Sequence, residues 1–296
     1  MNETNSGKGR PGASAIRIGC AGWALRKEHF HLFPSEGSHL GRYAGCLPAV
    51  EINSSFYRPH RPATYARWAA TVPDHFRFAV KMPKQLTHTH RLVEGIETLE
   101  RFLPEATSLG EKLGPLLVQL PPSLSFSIAV AQKFFADLRR RFHGDVALEP
   151  RHATWFEAEA ERLITSYRIA RVAADPAVVS AALRPGGWDG LVYYRLHGSP
   201  QIYHSDYSDE YLAALSEKLS KETRATNVWC IFDNTADGAA TVNALDLLKI
   251  TACRNHLQQD SDDQRLRSGL ATARVPSRQP SSPAIAKIKR GEQKQI

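Results

Sequence analysis

Short runs of aliphatic, β-branched and aromatic residues recur along the chain, with polar and turn-forming residues between them. Runs of this length and type predict strands, and continuously apolar ones are typical of a buried parallel sheet. The predicted strands are IRIGCAGW (16–23), AVEINSSF (49–56), FRFAVKMP (76–83), PLLVQLPP (115–122), DVALEPRH (145–152), IARVAAD (169–175), LVYYRLHG (191–198) and NVWCIFDN (227–234). Between them, apolar residues spaced three and four apart indicate amphipathic helices. The predicted helices cover 61–71, 96–113, 127–142, 155–167, 208–221 and 236–254.

This alternation of strands and helices predicts an α/β fold, and more specifically a single (β/α)8 TIM barrel. A doubly wound open sheet is the alternative, but it would carry a glycine-rich phosphate-binding turn after an early strand. The glycines of GCAGW (19–23) have the wrong spacing for that turn, so no nucleotide cofactor is indicated. We predict a flexible N-terminus over 1–15, the barrel over 16–254 and a disordered basic tail over 255–296.

Composition also bears on the cellular location of the protein and on the redox state of its cysteines. Hydrophobic residues make up 42% of the 296 residues, yet no run approaches the roughly 18 apolar residues of a membrane-spanning helix. The first fifteen residues are polar and do not resemble a secretion signal. We therefore expect a cytoplasmic protein without a membrane partner. The cysteines are Cys20, Cys46, Cys230 and Cys253, and because they are scattered they predict reduced thiols rather than disulfides or a zinc site.

The net charge of +8 lies almost entirely outside the predicted barrel. From residue 264 onward there are eight basic residues and one acidic residue, whereas residues 16–263 contain equal numbers of both kinds. The tail is rich in Ser, Pro and Gln and lacks hydrophobic periodicity, which predicts disorder. A basic tail of this kind either adds salt-sensitive attraction to nucleic acid or serves as a solubilising extension.

Polar residues lie at the carboxyl-terminal ends of most predicted strands. Because successive strand residues point alternately to the two faces, Val146 and Leu148 are expected to face the helices. Ala147, Glu149 and Arg151 then face the interior. The same parity places these further residues inward: Glu51, Asn53, Lys81, Gln119, Asp175, Arg195, His197 and Asp233. TIM barrels have their active sites at this end, so we expect a functional pocket there. A structural hydrogen-bond network is the alternative for any single position.

The inward residues combine carboxylates, strong cations and histidines, a mixture that suits an anionic substrate. Arginine binds phosphate or carboxylate through two-point hydrogen bonds and lysine adds a point charge. We predict that Arg151, Arg195 and Lys81 hold the anion. Surrounding charges can move the pKa of a carboxyl or an imidazole towards neutrality, and Glu149 and His197 are the predicted proton-transfer pair. The sequence therefore favours a hydrolase or lyase acting on a phosphorylated or otherwise anionic substrate.

A divalent metal is an open alternative use of the same side chains. The candidate ligands are Glu51, Glu149, Asp175, His197 and Asp233. The chain has no H-E-x-x-H motif, and His88 and His90 lie in a predicted loop. Because Lys81, Arg151 and Arg195 compete for the same carboxylates, ion pairing explains the pattern as well as a metal does.

Two further function classes stay open. A nucleic-acid-binding protein, or a nuclease or repair-type enzyme, would hold phosphates with the barrel end and the tail while loop aromatics stack on bases. The candidate aromatics are Trp23, Phe56, Tyr57, Trp155, Tyr203 and Tyr207. The charge balance of the barrel argues against a dedicated binding protein. A barrel that serves only as a scaffold is disfavoured by the many charged groups at one end.

Several segments match a known family in order along the chain. They are IGCAGW (18–23), VEINSSFYR (50–58), FAVKMPKQLTH (78–88), LVQLPPS (117–123), LEPRHATW (148–155), YRLHGSP (194–200) and FDNTADGAATVNAL (232–245). On these segments the chain resembles the YecE-like family, domain of unknown function 72, over residues 16–254. The resemblance implies a TIM barrel and no particular reaction.

Some of the family's characteristic polar residues fall on positions of this chain that the strand pattern also singles out. The resemblance alone adds Tyr57, His88, His152, Tyr203, Tyr207 and Asn234. From the strand pattern and the resemblance together, the predicted catalytic residues are Glu149, His197, Lys81 and Asp233. The predicted substrate-binding residues are Glu51, Asn53, Tyr57, His88, Gln119, Arg151, His152, Arg195, Tyr203, Tyr207 and Asn234. The chain departs from the family pattern at Gln201 and His204, where many relatives carry a basic and an aromatic residue.

Overall fold

The apolar runs form ten strands of one sheet in the computed structural model, which describes residues 15–222, 225 and 227–254. The strands are β1 (Ala15–Ala21), β2 (Ala49–Ile52), β3 (Arg77–Lys81), β4 (Leu113–Gln119), β5 (Val146–Glu149), β6 (Ala170–Arg171), β7 (Ala173–Asp175), β8 (Gly186–Gly187), β9 (Leu191–Leu196) and β10 (Asn227–Phe232). Their order in the sheet is β7-β9-β10-β1-β2-β3-β4-β5-β6-β8. All pairs are parallel except β6 with β8.

The sheet curls into a nearly closed barrel because two consecutive strands pair near its opposite edges. β6 pairs with β5 and β7 pairs with β9, which is consistent with a TIM-like barrel. The prediction of one sixth strand over 169–175 is therefore wrong, since Val172 separates two short strands. The free edge of β6 is occupied by β8. Gly187 has a φ of +69°, and a Cβ there would lie 2.4 Å from the carbonyl oxygen of Ile169, so this close pairing requires glycine.

Each of the six predicted helical segments contains a helix, and two short helices, α1 and α2, were not predicted. The helices are α1 (His39–Ala44), α2 (Ser54–Tyr57), α3 (Pro62–Thr71), α4 (Ile96–Thr107), α5 (Ile128–Arg141), α6 (Ala158–Ser166), α7 (Asp209–Ser220) and α8 (239–254). Short 3-10 helices cover Lys27–Leu32, Gly110–Lys112, Ala153–Phe156 and Ser180–Leu183, and a π-helix covers Gln85–Thr89. The predicted second strand over 49–56 ends at Ile52 because α2 follows it.

Side chains of the strands alternate as their sequence pattern predicts. Val146 and Leu148 pack in the large cluster between the sheet and the helices, whereas Ala147 belongs to the interior cluster. The interior cluster contains Ala49, Ala79, Leu117, Ala147, Ala170, Val172, Leu191, Tyr193, Trp229 and Ile231. Its alanines leave room for the stacked rings of Tyr193 and Trp229, whose centroids lie 5.9 Å apart. The interior is therefore a packed core at this level, and the polar residues lie further along the same strands.

The chain divides into two units, residues 1–253 and 254–296, and the fold described above belongs to the first. Residues 1–14 of the predicted flexible N-terminus and the whole predicted basic tail lie outside the described residues. Among the helices of the described part, none is long and apolar enough to cross a membrane.

Candidate active site

Seven ionisable side chains meet where five of the strands end. Parallel strands of a barrel bring their carboxyl ends to the same side, so residues at the ends of separate strands become neighbours. We call this set the charged cluster; its members are Glu51, Lys81, Glu149, Arg151, Arg195, His197 and Asp233. Glu51, Glu149, Arg195 and His197 have no exposed surface. The structure thus brings together all four predicted catalytic residues and three of the predicted substrate-binding residues.

Arg195 lies at the centre of the charged cluster. Its Nη2 and Nε donate to Oε1 and Oε2 of Glu51 at 2.6 and 3.0 Å. Nη1 donates to Glu149 Oε2 at 2.6 Å, and Nη2 also donates to Asp233 Oδ2 at 3.0 Å. Burial alone would lower the pKa of Arg195, but the three carboxylates hold it well above its ordinary value. Because solvent screens these pairs little, the carboxylates depend on Arg195 for charge compensation.

Glu149 and Asp233 of the charged cluster are held in their ionised form. Burial by itself would raise the pKa of Glu149, but Arg195, Arg151 and His197 together hold it well below its ordinary value. The same opposition between burial and the charge of Arg195 lowers the pKa of Asp233. Both side chains are therefore acceptors only, and they determine which of the surrounding nitrogen atoms carry hydrogens.

His197 connects Asp233, Glu149 and Arg151. Its Nδ1 lies 3.1 Å from Asp233 Oδ2, and its Nε2 lies 2.7 Å from Glu149 Oε1. Nη2 of Arg151 lies 2.7 Å from both Nε2 and Glu149 Oε1. Because ionised Asp233 can only accept, Nδ1 carries a hydrogen in this network. A neutral ring then accepts at Nε2 from Arg151, whereas a protonated ring donates from Nε2 to Glu149. One proton therefore changes the partner of the ring.

Lys81 ends β3 beside the aromatic ring of Phe56. Its Nζ lies 4.2 Å from the ring centroid, and the residue is 7% exposed. Burial and the charge of Arg195 lower the pKa of Lys81 to about 8, while Glu51, Glu149 and Asp233 oppose the shift. A minority of this amine is therefore uncharged at pH 7, and about half of it is uncharged at pH 8.

Tyr193 belongs to the network, although sequence reasoning missed it. Its hydroxyl donates to Glu51 Oε2 at 2.8 Å, and the side chain is fully buried. Burial and the neighbouring Glu51 raise its pKa well above the ordinary value, so it stays a donor. The strand parity that singles out Arg195 and His197 also selects Tyr193, two positions earlier. The residue has two roles, because its ring stacks on Trp229 in the interior core while its hydroxyl bonds to Glu51.

Five predicted binding residues surround the charged cluster without a hydrogen bond or ion pair to it among the described residues. They are Asn53, Tyr57, His88, Gln119 and His152. His88 bonds to the Thr87 hydroxyl, and His152 caps the 153–156 helix through Thr154. Tyr57 is 78% exposed. All five carry polar atoms and none is buried, so the surroundings of the cluster are polar and partly open to solvent.

The last three predicted binding residues lie in, or bond to, the segment that follows β9. Tyr207 donates to Asp175 Oδ2 at 2.8 Å and accepts from the Gly198 amide, so Asp175 is held by Tyr207 rather than by the charged cluster. Asn234 donates to the Ser205 carbonyl. Tyr203 has a φ of +71°, which is strained for a non-glycine residue. That backbone turn sets its half-exposed ring edge-on to His197, with centroids 6.0 Å apart.

A search for related sequences identifies the family. The matching family is described as "Protein of unknown function DUF72", and its profile covers residues 17–266. The chain belongs to the DUF72 family. The resemblance inferred from the short sequence segments is therefore confirmed, and the family match reaches twelve residues beyond the described part of α8.

Curated DUF72 relatives match over part of the chain. UPF0759 protein YecE of Escherichia coli strain K12 is 29% identical over 149 residues, which is 48% of this chain and 54% of the relative. UPF0759 protein YunF of Bacillus subtilis strain 168 is 29% identical over 154 residues, 48% of this chain and 52% of the relative. The chain spans about half the length of these relatives.

Solved DUF72 structures share the fold. A DUF72 family protein (EF0366) of Enterococcus faecalis V583 superposes with a TM-score of 0.69 at 24% identity, over 80% of this chain and 96% of that one. Another (TM1631), from Thermotoga maritima MSB8, gives 0.66 at 23% identity, over 79% and 98%. At this identity the similarity supports the fold assignment and says nothing about activity.

The carboxylates near the ends of the described strands are arranged around a cation of the protein rather than as metal ligands. Within the described residues, no group of three His, Cys, Asp or Glu side chains is arranged as metal ligands. The reason lies in the charged cluster, where Arg195 occupies the space between Glu51, Glu149 and Asp233. Of the other two predicted ligands, Asp175 bonds to Tyr207, and the ring nitrogens of His197 face Asp233 and Glu149. The space between these carboxylates is therefore filled by a guanidinium of the protein itself.

Three of the six aromatics predicted to stack on nucleic-acid bases are unavailable. Phe56, Trp155 and Tyr207 are buried, and Trp155 donates its indole hydrogen to the Leu124 carbonyl. The stacking prediction is wrong for these three, because their rings fill space under loops. Trp23 is half-buried and packs edge-on against Trp68. Tyr57 and Tyr203 are the exposed members of the predicted set.

Cys20 lies close to the end of β1 but faces away from the charged cluster. Its thiol is buried in the cluster between sheet and helices and donates to the Ala240 carbonyl. Burial raises its pKa to about 12. Because the thiolate is the reactive form, this environment argues against Cys20 as a nucleophile.

Proposed function

We propose that this DUF72 protein is an enzyme, a hydrolase or lyase, that binds a phosphorylated or otherwise anionic substrate at the carboxyl ends of its strands. In this proposal the sheet is a (β/α)8 barrel whose sixth strand is interrupted at Val172. Arg151 holds the anionic group with Lys81 on the substrate's side of the charged cluster, and His197 moves a proton. Half-buried Asn53 and Gln119 complete the lining.

One unpaired donor carries the proposal. Nε of Arg151 is buried and has no hydrogen-bond partner within the part of the chain that the structure describes, whereas Arg195 donates from Nε, Nη1 and Nη2. A buried donor on a cation is costly when it lacks an acceptor, and a phosphate or carboxylate oxygen supplies one in two-point geometry. The Arg151 side chain keeps 12% of its surface exposed, so a small movement suffices to present Nε to a ligand.

Binding and proton transfer are coupled through Arg151 in this mechanism. When an anion binds the guanidinium of Arg151, Nη2 of Arg151 moves away from Nε2 of His197. Nε2 is then free to take a proton from the substrate or give one to it. Asp233 holds the Nδ1 hydrogen and fixes the ring orientation. Glu149 accepts from the protonated ring and stabilises its charge, while Arg195 keeps both carboxylates in place.

Titration calorimetry with inorganic phosphate tests the binding half of the proposal. We expect saturable binding by the wild-type chain and a loss of about tenfold or more in affinity for Arg151→Met, because one charge-assisted hydrogen-bond donor group is removed. Arg139→Met is the matched control, since the Arg139 guanidinium donates to backbone carbonyls in the loops before β5 and β6. No binding, or equal binding by Arg151→Met, contradicts the proposal.

A substrate panel tests the catalytic half. Phosphate monoesters, sugar phosphates, hydroxy acids and 2-oxo acids are incubated with the full chain, and products are followed by NMR. For any compound that is turned over, we expect His197→Gln to lower the rate by roughly 10² to 10⁴-fold, as for loss of a general acid or base. Arg139→Met should keep the wild-type rate. Unchanged turnover by His197→Gln would remove the proton-transfer role.

A further inference from the structure

Lys81 differs from the arginines of the charged cluster in what surrounds its charge. Arg151 and Arg195 contact carboxylates at 2.6 to 3.0 Å. Among the described residues, no carboxylate oxygen is within ion-pairing distance of Lys81 Nζ, which lies against the Phe56 ring instead. The residue is nearly buried, and the Ser55 hydroxyl donates to its carbonyl oxygen at 2.7 Å. The backbone of Lys81 is therefore fixed by Ser55, and its amine packs against the Phe56 ring without a carboxylate partner among the described residues.

We propose that Nζ of Lys81 forms an imine with a carbonyl carbon of the substrate. This inference rests on the proposed function and narrows its substrate class to an anionic aldehyde or ketone, such as a 2-oxo acid or an open-chain sugar phosphate. A lysine amine in a desolvated site next to another cation is the kind that adds to carbonyl groups. A guanidinium stays protonated and does not add to carbonyl groups. In this proposal Arg151 instead holds the anionic group of the same molecule.

The groups around Lys81 leave part of it uncharged. Burial and Arg195 on β9 lower its pKa, to about 8, whereas Glu51 on β2, Glu149 on β5 and Asp233 after β10 raise it. The Phe56 ring also favours the ammonium form through the cation–π contact. His88, which follows β3, packs edge-on against that ring. A neutral amine is thus available at mildly alkaline pH, and the neighbouring carboxylates stabilise a positive charge that returns to this nitrogen.

The covalent step balances with one proton. The Nζ lone pair forms a bond to the carbonyl carbon as the C=O π bond breaks, and one hydrogen of Nζ moves to the oxygen to give a carbinolamine. His197, protonated at Nε2, then gives a proton to that hydroxyl, which leaves as water while the nitrogen lone pair forms the C=N bond. The product is a protonated imine, whose charge faces Glu149 and Asp233. Such a group withdraws electrons from an adjacent bond, which favours a lyase over a hydrolase.

Reductive trapping on the full-length protein tests the proposal. Pyruvate, glyoxylate and dihydroxyacetone phosphate are each added with sodium borohydride, which delivers hydride to an imine carbon and fixes the adduct as a secondary amine. Intact mass and peptide mapping locate it. We expect the reduced adduct on Lys81 with at least one of these compounds, at about tenfold or more the level on exposed Lys84. Labelling should increase as pH rises through about 8.

Two variants sharpen the outcome. Lys84→Arg should keep the adduct, and Lys81→Arg, which retains the positive charge, should lose it while its circular dichroism stays that of the wild type. Absence of an adduct from Lys81 with all these compounds, or labelling spread equally over exposed lysines, overturns the imine. If inorganic phosphate still binds in an Arg151-dependent way, that result leaves the proposed function standing. If phosphate binding also fails, both proposals fall.

Discussion

Two arginines at opposite ends of the sheet, Arg139 and Arg195, have different acceptors. Near the amino ends of the strands, Arg139 donates to backbone carbonyls of the loops before β5 and β6. At the carboxyl ends, Arg195 donates to carboxylate side chains alone. Backbone carbonyls do not titrate and their positions are fixed by the chain path, whereas carboxylates titrate and can change partners. Both arginines are well bonded, but only Arg195 belongs to a set of groups that can do chemistry.

Of the four substitutions considered for stability, Arg195→Met should lower the free energy of unfolding most. Arg195→Met leaves Glu51, Glu149 and Asp233 buried near one another without their shared cation. We expect a loss of about 3–5 kcal/mol in the free energy of unfolding, as for other broken buried ion pairs. Urea unfolding at neutral pH measures it, and the deficit should shrink on acidification as the carboxylates become neutral. A loss below about 1 kcal/mol would show that the carboxylates do not depend on Arg195.

Glu149→Gln should have the next largest effect and should change the pH dependence of stability. Glu149 has a lower pKa in the folded than in the unfolded chain, so its contribution is complete above the unfolded value and is lost as pH falls through the folded value. We expect a loss of about 1.5–3 kcal/mol at neutral pH, typical of hydrogen bonds to a charged group. Below pH 4.5, the ordinary value for Glu, unfolding curves of wild type and variant should converge. Parallel pH profiles would contradict the assignment.

Arg139→Met should have a smaller and nearly pH-independent effect, because its acceptors are backbone carbonyls. We expect a loss of about 1–2 kcal/mol in the free energy of unfolding, measured in urea at acidic and neutral pH. A deficit that shrinks with acidification as for Arg195→Met would remove the distinction between the two ends.

Tyr193→Phe should have the smallest effect. Glu51 Oε2 loses the hydroxyl hydrogen bond but keeps Nε of Arg195, so no acceptor is left unpaired. We expect a loss of about 0.5–1.5 kcal/mol by urea unfolding. A loss as large as that for Arg195→Met would mean that Tyr193, rather than Arg195, determines the position of Glu51.

Strand periodicity predicted most of the charged cluster because parity is a local property of the chain. It placed Glu51, Glu149, Arg195 and Asp233 inward near strand ends, and hydrogen bonds between them follow once the ends converge. Local pattern does not report pairing between distant segments. The interruption at Val172 depends on the pairing of β6 with β8. A strand of two glycines has no hydrophobic periodicity by which the sequence could reveal it.

Sequence pattern also does not report the contacts made within the loops that follow the strands. His152 follows β5 in a loop and bonds to Thr154, a contact that depends on the path of that loop. Exposure of loop aromatics is likewise a result of tertiary packing, so Trp155 and Tyr207 could not be separated from exposed Tyr203 by sequence. Tyr193 was within reach of the same parity rule that found Arg195.

Nitrogen-15 NMR of the histidine-labelled full chain tests most directly whether an anion draws Arg151 away from His197. The His197 resonances are assigned with His197→Gln, and inorganic phosphate is then titrated into the wild type and into Arg151→Met. We expect a saturating change at Nε2 of His197 in the wild type, with little change at Nδ1, and no such change in Arg151→Met. Resonances that stay constant through the titration, or that shift equally in both proteins, would contradict the coupling of anion binding to proton transfer.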